Sequence, residues 1–112
     1  TVVIDRNNIQ ISGHTEEVMP LEPFGAKLKA FGFEVVEING HDFSEIIGAM
    51  KKVRVVFEKP TAIILRTIPG KGVDFMENDP DWHGVAPKVG EAVEALAELR
   101  RIHTLDGKVI ND

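Results

Sequence analysis

Three short runs of β-branched and apolar residues, separated by segments of helical character, constrain the fold more than any other feature of this sequence. The runs cover residues 1–4, 33–38 and 61–65. The order strand, helix, strand, helix, strand is that of βαβ units, whose strands lie parallel in one sheet with right-handed crossovers. We therefore predict an α/β fold of three layers with a small, mainly parallel sheet.

The segments between and after these runs carry helix signals. Pro23 suits a first helical turn, Gly32 suits the end of that helix, and the Asp42 carboxylate can cap a second one. The second helix is predicted to have an apolar stripe made of Phe43, Ile46, Ile47, Met50 and Val53. A last helix is predicted from about residue 89 to 102, with Val89, Val93, Leu96 and Leu99 on one side. Residues 14–21 and 67–90 are predicted to be irregular, and the polar tail after residue 103 to be loose.

Composition excludes several classes of protein. The chain has 112 residues, 13 Lys and Arg against 18 Asp and Glu, and a net charge of −5, which argues against a general nucleic-acid binder. It has no cysteine, which excludes disulfides and thiolate metal sites and fits a reducing compartment, so we expect a cytoplasmic location. No apolar run approaches the ~20 residues that cross a bilayer, so no membrane association is expected.

The first strand is predicted to be buried on both faces, because residues 1–4 are all apolar or β-branched. An apolar strand at an open sheet edge is an aggregation hazard. The chain is therefore either a small complete domain or a fragment whose missing strands lay beside residues 1–4, and we favour the fragment. Its start resembles neither a signal peptide nor a translation start, so we expect residues 1–112 to be one partial domain.

Polar loops follow the predicted strands at residues 5–13, 39–42 and 67–87, and ligands of open parallel sheets bind beyond the carboxyl ends of the strands. The first loop offers the oxygen donors Asp5, Asn7, Asn8 and Gln10. Such donors suit Mg²⁺ or Ca²⁺, although the same residue types are ordinary in turns. In the second loop, a turn and a helix cap explain the residues around His41, which is therefore a weak candidate.

The third loop holds two further candidates. Residues 70–72 (Gly-Lys-Gly) could approach a phosphate, but they lack the glycine spacing of a P-loop. His83 is suited to proton transfer near neutral pH, although a histidine in a loop is more often a simple hydrogen-bonding residue. The four histidines show no metal-ligand spacing, so no zinc site is predicted.

Taken in order, the loops and the segments between them form one pattern. Its parts are Ile4–Gly13, Phe31–Val35, Asn39–Asp42, Lys59–Thr61, Arg66–Thr67, Gly70–Val73, Phe75–Asn78 and Trp82–Gly84. This ordered set resembles the thiamine-diphosphate-binding domain of transketolase, in particular the amino-terminal subunit of split transketolases. The resemblance runs from residue 4 to about residue 87 and implies that the chain is the carboxyl-terminal part of that domain.

The resemblance implies thiamine diphosphate and Mg²⁺ as cofactors and gives roles to four residues. Asn7 matches the family's amide ligand of the cation, and Ile9 matches the residue whose backbone carbonyl is another ligand. Ile11 matches an apolar residue that packs on the cofactor. His83 matches a histidine that reaches the diphosphate and the sugar substrate, and it is the predicted catalytic residue.

The sequence departs from the family pattern at two points. The family also holds the cation through a Gly-Asp-Gly segment, which does not occur in these 112 residues, so we expect the chain alone not to bind the cofactor normally. Pro69 stands where many relatives have lysine or an aliphatic residue, which puts local cofactor contacts in doubt.

The function implied is ketol transfer, in which a two-carbon unit moves between sugar phosphates. The implied partners are a carboxyl-terminal transketolase subunit and a second copy of the protein. Three alternatives stay open. They are a 1-deoxyxylulose-5-phosphate synthase or other thiamine-diphosphate lyase, a non-catalytic assembly module, and a Mg²⁺-dependent phosphohydrolase that would use Asp5.

Overall fold

The computed structural model describes residues 1–105, with side chains through residue 102. Its elements are β1 (Val2–Arg6), β2 (Ile9–Gln10), β3 (Gly13–His14), α1 (Thr15–Val18), α2 (Phe24–Ala30), β4 (Glu34–Asn39), α3 (Phe43–Val53), β5 (Thr61–Arg66), a 3-10 helix (Pro80–His83) and α4 (Val89–Leu105). Within the described residues the chain divides into two compact units, one made of residues 1–8 and 14–67 and the other of residues 9–13 and 68–105. The prediction for the tail falls largely outside the described residues. The prediction of one partial domain stays a prediction.

The first unit is built on a parallel sheet with the strand order β1-β5-β4. The central strand β5 pairs with both neighbours, so that Ile64 lies opposite Ile4 on one side and opposite Glu37 on the other. This central position buries Ile63 and Ile64 almost completely. The predicted α/β fold with a small parallel sheet is confirmed.

Helices cover both faces of this sheet. The core under α3 consists of Val36, Ala49, Val53 and Ile63. On the other face Gly25 of α2 approaches the sheet, since a Cβ built there would lie 3.9 Å from Val35 Cγ1 and 3.8 Å from Ile64 Cδ1. Successive residues of a strand point to opposite faces, so α2 and α3 lie on opposite sides and the unit has three layers.

The prediction that the first strand is buried on both faces is wrong. Val2 is 46% exposed and Val3 is 54% exposed. The reason is the strand order, because β1 lies at the edge of the sheet and pairs with β5 alone among the described strands. The β-branched composition predicts a strand correctly but does not predict its place in the sheet.

The predicted apolar stripes of α3 and α4 match the buried faces only in part. In α3, Val53 of the predicted stripe is buried and Ile46 is half-buried. Phe43, Ile47 and Met50 of that stripe are exposed, and Ala49, which lies outside it, is buried. In α4 the buried residue is Ala95, and the exposed apolar residues include Val89, Val93 and Leu96. A helix can approach its neighbour closely where its side chains are small. The spacing of large apolar residues does not reveal such positions.

The second unit contains β2, the loop that begins at residue 68, the 3-10 helix and α4. β2 packs against the 3-10 helix. Ile9 of β2, Val73 and Ala95 are each buried. The 3-10 helix falls in a segment that the sequence predicts to be irregular, and so does α1 of the first unit. Each is a single turn, which is too short to produce a periodic signal.

Candidate functional site

The loop after β1 carries Asn7 and is closed by contacts within the first unit. Asn8, the next residue, has a left-handed backbone with φ of 64°. Its carbonyl oxygen accepts a hydrogen bond from the Thr15 amide at 2.9 Å and another from the Thr15 hydroxyl at 3.3 Å. The carbonyl of Asn8, the residue after Asn7, is therefore fixed to the start of α1.

Arg6 is the last residue of β1 and is only 3% exposed. Its Nη1 donates to the Thr15 hydroxyl at 2.9 Å, and its Nη2 donates to Glu16 Oε1 at 2.7 Å. Glu22 Oε1 lies 3.4 Å from the same Nη2. These carboxylates compensate a guanidinium that would otherwise be buried as an isolated charge.

A second arginine extends this cluster along the carboxyl edge of the sheet. Arg66 Nη1 donates to Glu22 at 2.8 Å and its Nε donates to Glu37 at 2.5 Å. The hydrogen bond from Arg66, followed by one from the Phe24 amide, lowers the pKa of Glu22 to about 2. The same two carboxylates raise the pKa of Arg66 above its usual range.

Asp5, a candidate oxygen donor at the carboxyl edge of the sheet, accepts a hydrogen bond from the Thr67 hydroxyl. Thr67 follows β5, the strand that pairs with β1. The Gly40 amide, in the loop that holds His41, donates to the Arg66 carbonyl at 2.8 Å. The first two predicted loops thus meet β5 at the carboxyl end of the sheet, as the parallel topology requires.

In the second unit, the glycine-lysine-glycine segment (residues 70–72) is engaged by a carboxylate of the same chain. Glu77 accepts a hydrogen bond from the Gly72 amide at 2.9 Å and forms an ion pair with Lys71 at 3.2 Å. The Pro69 carbonyl accepts from the Asn78 amide at 3.0 Å. Because Glu77 engages both groups, the structure does not support a phosphate cradle at this segment.

The 3-10 helix presents His83 on a well-anchored turn. Asp79 caps the helix by accepting from the Asp81 amide at 2.9 Å. Trp82 donates its indole N–H to the Phe75 carbonyl at 3.0 Å, and the two rings meet edge to face at 5.5 Å. The tryptophan holds the turn, and the adjacent His83 side chain is exposed.

A cavity of about 550 Å³ lies beside this turn, within the second unit. It is lined by Ile11, Pro80, Asp81, His83, Gly84 and Val85. Its volume falls in the range of small-molecule sites. The cavity brings together two of the predicted site residues, Ile11 and His83, which are 72 positions apart in the sequence.

The other two predicted residues have different surroundings. Ile9 is buried in β2, which packs against the 3-10 helix. Asn7 lies in the first unit and is half-buried, and its spacing from His83 stays a prediction.

Sequence reasoning missed the cluster around Arg6 and the anchoring role of Trp82, since neither is marked by a local pattern.

The donors at these positions suit a hard cation. The Asn7 side chain and the Ile9 backbone each offer a neutral oxygen, the type that Mg²⁺ accepts when phosphate oxygens complete its shell. Among the described residues, no group of three or more His, Asp or Glu could hold a metal ion by itself.

Comparison with known proteins agrees with this architecture. The family model described as "Transketolase, thiamine diphosphate binding domain" matches residues 1–107. The crystal structure of transketolase from Campylobacter jejuni superposes with a TM-score of 0.78 at 32% identity, over 88% of this chain and 15% of that one. The fold and the match define a domain of the thiamine-diphosphate-binding type. The chain belongs to the transketolase family. The resemblance inferred from the sequence is confirmed.

The chain is also similar to two proteins that are named as transketolase subunits. The chain is 41% identical over 105 residues to an apulose-4-phosphate transketolase subunit of Phocaeicola vulgatus, covering 93% of this chain and 37% of the relative. It is 39% identical over 97 residues to the 6-deoxy-6-sulfo-D-fructose transketolase subunit SqwG of a Clostridium species, covering 87% and 35%. The chain thus spans little more than a third of these subunits. No helix in residues 1–105 has the length and apolar character needed to cross a membrane.

Proposed function

We propose that this chain is the carboxyl-terminal part of the cofactor-binding domain of a transketolase subunit. The complete enzyme would transfer a two-carbon ketol unit between sugar phosphates, together with a second subunit. The observation that carries the proposal is the shared cavity of Ile11 and His83 in a chain of this family. A cytoplasmic location and assembly with a second copy belong to the same proposal.

Each residue of the site has a role that its chemistry supports. The Asn7 side-chain oxygen and the Ile9 carbonyl would hold Mg²⁺, and the cation would in turn hold the diphosphate of thiamine diphosphate. Ile11 is 89% exposed and would offer an apolar surface for the cofactor rings. When bound, thiamine diphosphate supplies the chemistry that breaks and remakes a carbon–carbon bond of the sugar.

His83 would act on the substrate side of the cavity. An imidazole both donates and accepts hydrogen bonds and exchanges protons near neutral pH. In its exposed position on the 3-10 helix, it would orient the oxygens of the sugar and hold or release a proton at its ring nitrogens. The anchoring of Trp82 to Phe75 would keep that imidazole at a fixed place in the cavity wall.

The test uses the full-length subunit that carries this chain, assembled with its partner subunit. Calorimetry with thiamine diphosphate and Mg²⁺ should show weaker cofactor binding for Asn7→Ala than for the unchanged protein. His83→Ala should lower kcat/KM for ketol transfer by about 100-fold or more, because a positioned acid or base contributes about that much. His41→Ala is the matched control, since His41 does not line the cavity.

Equal cofactor affinity with and without Asn7 would favour a non-catalytic assembly module instead. A donor panel separates the lyase alternative, because a transketolase uses a ketose donor, whereas a 1-deoxyxylulose-5-phosphate synthase uses pyruvate. Apulose 4-phosphate and 6-deoxy-6-sulfo-D-fructose belong in the panel, since two relatives are named for them. The 112-residue chain alone should be inactive, and measurable ketol transfer by it would contradict the proposal.

A further inference from the structure

We propose that Arg6, Thr15 and Glu16 form a positioning cluster that holds the backbone around Asn7 in the geometry that a divalent cation requires. This inference rests on the proposed function, in which the Asn7 side chain is a cation ligand. The three residues would act through the Asn7 loop and are positioning residues, not catalytic ones.

The residue that follows Asn7 is held in place by Thr15. Asn8 has a φ of 64°, in the left-handed region that few residues besides glycine and asparagine adopt. Two hydrogen bonds supply that hold, because the Thr15 amide and hydroxyl both donate to the Asn8 carbonyl, at 2.9 and 3.3 Å. Thr15 therefore fixes the carbonyl of Asn8, one residue beyond Asn7.

Thr15 is itself held in place by Arg6. Its hydroxyl has one proton, which it donates to Asn8, and lone pairs that accept from Arg6 Nη1 at 2.9 Å. Arg6 and Thr15 are 3% and 7% exposed, so water competes little for these bonds. Arg6 directly precedes Asn7 and is fixed by the pairing of β1 with β5. The sheet thus fixes the residue before Asn7, and Thr15 fixes the carbonyl of the residue after it.

The charge of Arg6 is compensated by carboxylates. A guanidinium next to a cation site would repel the cation, unless carboxylates compensate its charge. Glu16 lies 2.7 Å and Glu22 lies 3.4 Å from Arg6 Nη2. Arg66 and Glu37 lie outside the positioning cluster but share Glu22 with it, so that two guanidinium groups face three carboxylates in this region. The cluster can therefore anchor the loop without adding net positive charge beside it.

The test measures Mg²⁺ affinity, which does not depend on turnover. In the full-length subunit with its partner, Mg²⁺ is titrated calorimetrically at a fixed, saturating concentration of thiamine diphosphate. Thr15→Val removes the hydroxyl at nearly constant volume and should weaken Mg²⁺ binding about tenfold or more, as loss of a ligand's supporting partner does. Thr15→Ser restores the hydroxyl and should return the affinity to within about twofold of the original, since the hydrogen-bonding group is the same.

Glu16→Gln provides a second variant in case Thr15→Val fails to fold. The Glu16 side chain is 46% exposed, so this change disturbs the core little. Replacing a charge-assisted bond by a neutral one should weaken Mg²⁺ binding about threefold. Unchanged Mg²⁺ affinity in Glu16→Gln, or in a folded Thr15→Val, would overturn the positioning role.

Arg66→Lys is the matched control. Arg66 shares Glu22 with Arg6, but its guanidinium donates to Glu22 and Glu37 and does not take part in the hold on Thr15. We expect this variant to keep its Mg²⁺ affinity. If it loses as much affinity as Thr15→Val, the effect is a general electrostatic one and the positioning role is wrong.

Asn7→Ala separates the two proposals. If it weakens Mg²⁺ binding and Thr15→Val does not, the cation ligand stands and only the positioning cluster fails. If Asn7→Ala leaves Mg²⁺ binding unchanged, the proposed cation ligand is wrong, and the positioning role is overturned with it.

Discussion

Replacing Gly70 by alanine should destabilise the protein more than replacing Gly72 in the same loop. Both glycines have a left-handed backbone, with φ of 72° and 91°. Placing a side chain in that conformation costs roughly 1–2 kcal/mol at either position. The two positions differ in what the new Cβ atom would meet, so their comparison isolates the contribution of the contact.

At Gly70 the added Cβ would collide with backbone. It would lie 2.5 Å from the carbonyl carbon of Met76 and 2.7 Å from its Cβ, and it would also contact the carbonyl oxygen. Met76 cannot move freely, because its amide donates to the Val73 carbonyl at 2.9 Å and its carbonyl accepts from the Asp79 amide at 3.3 Å. Relief of the collision therefore requires the loss of at least one backbone hydrogen bond.

At Gly72 the added Cβ would meet only the ends of two side chains, Leu99 Cδ2 at 3.0 Å and Ile102 Cδ1 at 3.3 Å. These methyl groups can shift by a few tenths of an ångström, so we expect a cost of about 1–2 kcal/mol for Gly72→Ala. Gly70→Ala adds a lost hydrogen bond of about 1 kcal/mol and the displacement of Met76, for a total of about 3 kcal/mol. The Gly70 variant should therefore melt at least about 5 °C below the Gly72 variant.

The assay follows urea and thermal unfolding of the 112-residue chain. Trp82 is its single tryptophan and lies in the same unit as both glycines, so its fluorescence reports on the unit that the substitutions affect. Far-ultraviolet circular dichroism follows the whole chain in parallel. Equal losses for Gly70→Ala and Gly72→Ala, or an unchanged Gly70→Ala, would refute the reasoning that backbone contact at Met76 excludes a side chain.

Two further predictions concern the first unit. The pKa of Glu22 in the folded protein is about 2, against an ordinary value of 4.5, so the unfolded chain takes up the proton first and stability is lost as the pH falls through this interval. Between about pH 6 and about pH 3, the free energy of unfolding of Glu22→Gln, measured with urea, should therefore fall less than that of the unchanged protein. Equal losses in the two proteins would contradict the low pKa assigned to Glu22. Asp42→Ala should cost about 1 kcal/mol in urea unfolding at neutral pH, because the Asp42 carboxylate accepts from the Ser44 and Glu45 amides at the start of α3. Asp42→Asn, which keeps an acceptor, should retain most of that stability, and an equal loss in both variants would show that the cap is not the cause.

Local pattern was sufficient for the strands of the parallel sheet, the longer helices and the family. The three β-branched runs predicted all three strands of the parallel sheet, and Asp42 predicted the start of α3. These features depend on a few neighbouring residues, and so they can be read from the sequence alone. The ordered loop motifs around residues 4–13 and 82–84 likewise identified the family, because each motif is a contiguous stretch.

The tertiary structure decided the features that depend on distant residues. It placed β1 at a sheet edge, where Val2 and Val3 are exposed. It joined Ile11 to His83 in one cavity, and it paired Arg6 with Glu22 across 16 positions of sequence. No periodicity marks such contacts, since the free energy that selects them comes from burial and ion pairing between segments that meet only in the folded chain.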